Sequence, residues 1–346
     1  MVLRRAVALE DAVQRRLTRL LRRLDRPVVV QPYPSYGGEG WVRVGGRVVF
    51  ELAEHRPRVP RPPLLQALQA NLRQFRTVEL PYAVVDVTVG GTTVRASADR
   101  EGYLDVVVPV DLGAGRHQAE LRPQEGDAAV TSAPVVVPDP AADVAIVSDI
   151  DDTILDSGIA RGLLATLTTA LLRDATARVP LEGAPEVYRA LRDGAAVERP
   201  FFYLSTSPWN LAPFLDGFLA RHGFPAGPLL LTDWGPGSYG LLRIGTEKHK
   251  LTSLRRLAGE FPRLRFVLIG DSGQEDAPIY TAFATEMPER VAAVYIRRTG
   301  LLADLARQRL ESSAAVLAEL GVPFVTVEDS SGIEAHARSI GLLGQR

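Results

Sequence analysis

The 346-residue sequence contains no cysteine, which rules out disulfides and thiolate metal sites and leaves the redox compartment open. Charge of one sign is not in excess either: 40 basic residues meet 41 acidic ones, for a formal net charge of −1. No global field therefore draws the chain to nucleic acid or to an anionic membrane, and no nucleic-acid partner is expected. No apolar run approaches the roughly 20 residues that a transmembrane helix needs. The region before Pro27 lacks an uninterrupted apolar stretch, because Arg15-Arg16, Arg19, Arg22-Arg23 and Arg26 break it repeatedly, so it does not read as a secretory signal. The expectation is a soluble, cytoplasmic protein, with peripheral placement at a membrane as the variant.

What is present is a large apolar fraction, 46%, which excludes a mainly disordered chain, and a length that points to more than one domain. Leu3 to Leu24 reads as a helix with Val13, Leu17, Leu20, Leu21 and Leu24 near helical spacing. Two readings of this N-terminal helix (residues 1–27) stand side by side. It is either a basic face exposed to solvent on a helix docked against the body, or an amphipathic helix at a membrane surface; Glu10, Asp11 and Asp25 weigh against the second.

Residues 28–138 have β texture. Val28–Val30, Trp41–Val44 and Arg47–Leu52 are short runs between turn residues. Arg56–Pro63, with four prolines, reads as an extended connection, and Leu64–Phe75 as a short helix. Tyr82–Val89 and Thr92–Ala98 flank Gly90-Gly91, a hairpin signal. Tyr103–Val110 and Val135–Val137 complete what reads as a small antiparallel β-sandwich, ended by Pro138-Asp139-Pro140.

From residue 143 to 346 the pattern becomes strand and helix in alternation. Val144–Val147, Phe201–Leu204, Leu229–Leu231, Phe266–Ile269, Val291–Ile296 and Phe324–Val327 are continuous apolar runs, as in buried parallel strands. Leu163–Leu172, Ala184–Leu191, Leu211–Leu219, Leu251–Phe261 and Leu302–Leu320 are helix-like. The reading is an α/β doubly wound parallel sheet, whose chemistry gathers at the carboxyl ends of the strands.

Four groups stand at those ends. Ser148-Asp149-Ile150-Asp151-Asp152-Thr153 packs three carboxylates into four positions, an arrangement whose repulsion a hard cation such as Mg²⁺ would relieve. One acid can attack phosphorus while the other moves a proton. Ser205, after Phe201–Leu204, is placed to bond a phosphoryl oxygen, or to cap a helix. Lys248 or Lys250 opens the helix of Leu251, Leu254 and Leu257 and can offset charge on a phosphorylated carboxylate. Asp271 follows Phe266–Ile269, with Glu275 and Asp276 close behind to complete an oxygen shell.

The run Asp149-Ile150-Asp151-Asp152-Thr153 resembles the first motif of the haloacid dehalogenase (HAD) superfamily, Asp-x-Asp-x-Thr. That resemblance implies a HAD-like fold with a minimal cap. It also implies that Asp149 is the phosphorylated nucleophile, Asp151 the acid/base, Ser205 and Lys250 the second and third motif residues, and Asp271 and Asp276 the fourth, with Lys248 and Glu275 as rivals. The words Ser-Asp-Ile-Asp-Asp-Thr-Ile, Ser-Pro-Trp-Asn, Arg-His-Gly-Phe-Pro, Lys-His-Lys-Leu and Ile-Gly-Asp-Ser-Gly-Gln-Glu-Asp further resemble the phosphatidate phosphatase catalytic-domain family. The implied activity is Mg²⁺-dependent hydrolysis of a phosphomonoester, phosphatidate or a related lipid phosphate at a membrane surface. The implied metal ligands are Asp149, Asp151, Asp271 and Asp276, and Thr153 is expected to buttress the turn. Two other readings remain: a phosphatase on a soluble phosphoester or phosphoprotein, and a non-catalytic binding protein. Leu155–Pro200 is too short for a large cap, and Asp233–Tyr239, with Trp234, reads as a flap.

Overall fold

The computed structural model describes residues 16–51, 78–125, 128–150, 153–154, 181–232, 244–298 and 304–344. The expected proline-rich connection at Arg56–Pro63, the helices at Leu64–Phe75 and Leu163–Leu172, the flap at Asp233–Tyr239, and Asp151 and Asp152 lie outside the described residues.

The chain divides near Pro138 into two compact units. The first opens with a helix at residues 16–23 and continues as nine strands: β1 (Val28–Pro32), β2 (Ser35–Gly38), β3 (Trp41–Phe50), β4 (Val78–Glu79), β5 (Val84–Val89), β6 (Thr92–Ser97), β7 (Tyr103–Val108), β8 (Gly115–Pro123) and β9 (Thr131–Val137). They hydrogen-bond in the order β1-β3-β2-β9-β8-β5-β6, with β4 and β7 also paired to β3. The alternation read from the sequence is observed: β5 and β7 bury every second residue, the period of a strand with one covered face. Those inward side chains, among them Val42, Val85, Leu104, Leu121 and Val135, form one hydrophobic core. The β5–β6 hairpin turns at Gly90 and Gly91, with Val89 opposite Thr92. Both glycines have positive φ, 55° and 80°, the conformation that a two-residue turn of this hand demands.

The sheet departs from the purely antiparallel expectation in one pair, β2 with β9, which run parallel through Ser35↔Val135 and Tyr36↔Val136. β2 and β8 are strands that the sequence pattern does not announce. β2 is Ser-Tyr-Gly-Gly. β8 turns only Ala119, Leu121 and Pro123 fully inward among polar residues, so its partners β5 and β9 define it.

The second unit is α/β. Its sheet has the order β12-β11-β10-β13-β14-β15, made of β10 (Val144–Ser148), β11 (Phe201–Pro208), β12 (Leu229–Thr232), β13 (Arg265–Asp271), β14 (Val291–Arg297) and β15 (Phe324–Val327). Every pairing is parallel. β10 and β11 are buried along their whole length, which explains the unbroken apolar runs: a covered parallel sheet has no wet face to encode. Each fully buried valine or isoleucine there contributes about 1.5–3 kcal/mol.

The connecting helices are α1 (Ala184–Asp193), α2 (Ala212–Arg221), α3 (Ile244–Glu260), α4 (Asp276–Glu286), α5 (Asp304–Glu319) and α6 (Ser330–Ser339). α1, α2 and α5 lie within two residues of the expected helices, α3 starts well before the expected Leu251, and α4 is a helix that the apolar pattern does not announce. α6 was not anticipated, although its signal is present. Asp329 caps it, accepting from the Ser331 backbone N–H at 2.9 Å, and Ile333 and Ala337 bury the i, i+4 face.

From β10 the chain winds outward through β11 and β12, then returns to the other side of β10 as β13 and winds outward again through β14 and β15. The reversal falls between β10 and β13, and the carboxyl ends at such a switch point are the place where open parallel sheets collect ligand-binding groups.

Candidate active site

Asp149 is the first residue after β10, and its backbone N–H continues the ladder by donating to the Ile269 carbonyl at 2.8 Å. Asp271 closes β13, the neighbouring strand. Two adjacent parallel strands thus deliver two carboxylates to one rim because Ser148 is in register with Ile269. Asp276 arrives from the first residue of α4.

Gly270 makes that approach possible: a Cβ there would lie 2.5 Å from Asp276 Oδ2 and 2.7 Å from its Cβ. Asp276 Oδ2 accepts from the Asp271 backbone N–H at 3.1 Å, so strand end and helix start are tied by one side chain. Asp271 Oδ1 accepts from the backbone N–H groups of Gly273 and Gln274, at 2.6 and 3.0 Å, which fixes its orientation.

Lys250 sits among these acids. Its Nζ donates to Asp149 Oδ1 at 2.6 Å and also to Asp276 Oδ1. All three side chains are completely buried. Burial works against the ammonium, but the Asp149 and Asp276 carboxylates outweigh it and hold Lys250 above its usual lysine value. The rivals are placed elsewhere: Lys248 is exposed, and Glu275 pairs with Arg309 at 2.9 Å. One detail differs from the expectation. α3 begins at Ile244, so Lys250 stands in its second turn and not at the helix start.

Carboxylate oxygens of Asp149, Asp271 and Asp276 lie within 4.8 Å of one another, as a set able to hold a metal ion. Three carboxylates against one ammonium leave a formal excess of two negative charges in a buried site, and all the donors are hard oxygens. That is the donor set and charge a small divalent cation requires.

Ser205 lies at the same rim on β11, two residues beyond the Ser148↔Tyr203 pair, and is fully buried. Its Oγ accepts from the Ser207 N–H at 2.9 Å. β11 runs on to Pro208, past the expected end at Leu204, with a register irregularity against β12 between those residues. The Thr153 hydroxyl is buried and meets no hydrogen-bond partner among the described residues.

Four further residues, given no role by the sequence pattern, surround this group. Ser148 Oγ donates to the Asp149 carbonyl at 2.7 Å. A hydroxyl has a single proton, so the Tyr188 hydroxyl on α1 is the donor in its 2.7 Å contact with Ser148 Oγ. Tyr280 on α4 donates to the Ile269 carbonyl at 3.1 Å, the same carbonyl that receives the Asp149 N–H. The Asp149 peptide is thereby held from both sides. Burial first, and then the Asp276, Asp149 and Asp271 carboxylates, push the Tyr280 phenol well above its usual value, so it stays a donor. His249, next to Lys250, faces the Leu230 carbonyl of β12 at 3.3 Å. Burial lowers it to about 4, so it is neutral at pH 7. Tyr188 and Tyr280 read as core from sequence alone and His249, between two lysines, as part of a basic helix end; only the fold shows which polar atoms they meet.

A parallel α/β domain with an acid cluster and a buried lysine at its switch point is the class defined by these observations. Residues 144–298 match the family model described as phosphatidate phosphatase APP1, catalytic domain. The match covers less than half of the chain.

The Saccharomyces cerevisiae protein named phosphatidate phosphatase APP1 is 30% identical over 154 residues, 44% of this chain and 26% of its own length. An uncharacterized Schizosaccharomyces pombe protein is 27% identical over 158 residues, 44% of this chain and 25% of its own. The chain thus spans about a quarter of the length of these relatives. A solved carbohydrate acetylesterase from Xanthomonas citri, 12% identical and covering 83% of this chain and 73% of its own, aligns with a TM-score of 0.27, too low to bear on fold or activity.

Proposed function

We propose that this chain is a Mg²⁺-dependent phosphomonoester hydrolase of HAD-like fold that works through an aspartyl-phosphate on Asp149, with phosphatidate or a related lipid phosphate as substrate. The observation that carries the reading is the convergence of Asp149, Lys250, Asp271 and Asp276, residues up to 127 positions apart, on one buried cluster within the segment that matches the phosphatase family.

In the first step an Asp149 carboxylate oxygen attacks phosphorus in line. The Asp149 O–P bond forms as the ester P–O bond breaks, and Asp151 gives its proton to the leaving oxygen. In the second, Asp151 takes a proton from water, whose oxygen bonds to phosphorus as the Asp149–phosphorus bond breaks, releasing phosphate and the free carboxylate. The role of Asp151 rests on its place in the Asp-x-Asp-x-Thr motif. Lys250 and Ser205 hold phosphoryl oxygens. Tyr188, Ser148 and Tyr280 keep the Asp149 backbone fixed while its side chain reacts.

Asp149 and Asp271, with the Asp151 carbonyl, would hold Mg²⁺, which supplies positive charge to offset repulsion between carboxylate and phosphate. Asp276 belongs to the same acid set. Its oxygens are engaged by Lys250 and the Asp271 N–H, so it contributes chiefly charge and the placement of Lys250.

The test is release of phosphate from phosphatidate in mixed micelles, alongside a panel of soluble phosphoesters, with and without Mg²⁺. Asp149→Asn is expected to lower turnover by on the order of 10³-fold or more while the chain stays folded. Retained turnover in that variant removes the nucleophile assignment. Preference for soluble esters moves the substrate class, and absence of any Mg²⁺-dependent release favours a binding protein.

A further inference from the structure

The helix at residues 16–23 and the turn after it carry two parallel rows. Leu17, Leu20 and Leu24 stand at i, i+3 and i+7, and Arg16, Arg19 and Arg23 stand at the same spacing one position earlier. Both rows face outward: the leucines are 37%, 52% and 55% exposed, and the three arginines are exposed as well. The helix is nonetheless anchored. Leu21 enters the core of the β unit, Thr18 is buried, and Arg22 pairs with Glu125 at 2.8 Å.

Its end is also built. Asp25 takes a left-handed conformation, φ 44°. The Arg26 N–H donates to the Leu21 carbonyl at 3.1 Å and the Asp25 N–H to the Arg22 carbonyl at 3.2 Å, the pair of bonds that closes a helix terminus. So the leucine row is held in place while, of the four leucines in residues 16–24, only Leu21 contributes to the core. The sequence pattern does not separate the two uses, because Leu20 and Leu21 are adjacent and equally apolar.

We infer that this double row is an interfacial docking surface for an anionic lipid bilayer. A row of leucines beside a row of arginines matches the layering of such a surface, with acyl chains beneath phosphates. Guanidinium groups pair with phosphate through a planar fork and stay charged at any accessible pH. The chain as a whole, at −1, has no global attraction for a membrane. Any attraction is local: no acid stands between Arg16 and Arg23 in the sequence, Asp25 is the nearest along the chain, and Glu125 is paired with Arg22. Binding to the surface does not depend on the phosphatase reading; the use of that binding, to keep the chain at the source of a lipid phosphate, rests on it.

The experiment is vesicle flotation of the full chain with phosphatidylcholine alone and with phosphatidylcholine containing phosphatidylglycerol, an anionic phosphodiester that the proposed monoesterase does not cleave. The native chain is expected to float with the anionic vesicles and not the neutral ones, and to be released by high salt. Each basic residue near an anionic surface contributes a factor of roughly five, so Arg16→Glu with Arg23→Glu is expected to weaken binding by roughly 25-fold or more. Leu20→Glu with Leu24→Glu, at positions more than half exposed, is expected to reduce it by at least roughly tenfold.

Both double variants are expected to keep native turnover of a soluble aryl phosphate, which also shows that they fold. A native chain that ignores anionic vesicles overturns the inference. So does undiminished binding in both double variants, or a monomer–dimer shift that only the native chain shows in the absence of vesicle binding, which would assign the leucine row to a second copy. Vesicle binding reports nothing about hydrolysis, so failure here and failure of the phosphatase reading are told apart.

Discussion

Lys250 Nζ lies 2.6 Å from Asp149 Oδ1 with both side chains withdrawn completely from solvent, although 101 residues separate them. An ion pair so placed is costly to break on one side only. Replacing Lys250 with methionine leaves Asp149 and Asp276 buried without their cation, and is expected to destabilise the α/β unit by about 3–5 kcal/mol. Urea unfolding checks the magnitude. Lys248→Met, on an exposed side chain, is expected to stay within about 0.5 kcal/mol of the native chain.

Gly270 and Asp276 provide a steric test of the same cluster. Gly270→Ala places a methyl group 2.5 Å from Asp276 Oδ2, so Asp276 must retreat from Lys250 and from the Asp271 N–H. The expectation is a loss of about 1–3 kcal/mol in stability and a fall in turnover with little change in KM. Gly259→Ala, where a Cβ meets nothing within 4 Å, is the control. Equal behaviour of the two variants would show that the close approach at Gly270 does not matter.

Removal and supply of metal give a readout independent of catalysis. Saturating Mg²⁺ at about 100 times its Kd is expected to raise unfolding free energy by about 2.7 kcal/mol, visible as a higher melting temperature that a chelator reverses. Asp271→Asn is expected to abolish the shift. Persistence of the full shift in that variant would place the ion away from this cluster.

Acid stability should carry the mark of His249. Its folded value, about 4, lies below the ordinary 6.5 because the ring is buried. Between those values the unfolded chain binds the extra proton, so acid favours unfolding. This stability is present above about pH 6.5 and is lost as pH falls toward 4, by about 3 kcal/mol. His249→Gln is expected to flatten that part of the profile measured by urea melts at pH 7, 5.5 and 4.5. An unchanged slope would show that another group controls it.

Periodicity and strand-end chemistry carried much of this molecule. The apolar runs at Val144–Val147 and Phe266–Ile269 mark strands buried on both faces, and the acids that follow them, Asp149 and Asp271, are where a parallel sheet puts reactive groups, because the rule depends only on chain direction. Gly90-Gly91 specified its hairpin through backbone freedom alone. These features are local, and local sterics and solvation decide them.

Other features required the whole fold. Which of Lys248 and Lys250, and which of Glu275 and Asp276, enters the buried cluster is a choice between residues of the same charge one or two positions apart, and helix phase in three dimensions decides it. The pairing of β2 with β9, the polar strand β8, and the tyrosines that hold the Asp149 peptide depend on partners far away in the chain. So does the division between Leu21, which enters the core, and Leu20 and Leu24, which do not. Side-chain type sets what a residue can do, but burial and partners are properties of packing, and packing brings together residues whose distance in sequence says nothing about their distance in space.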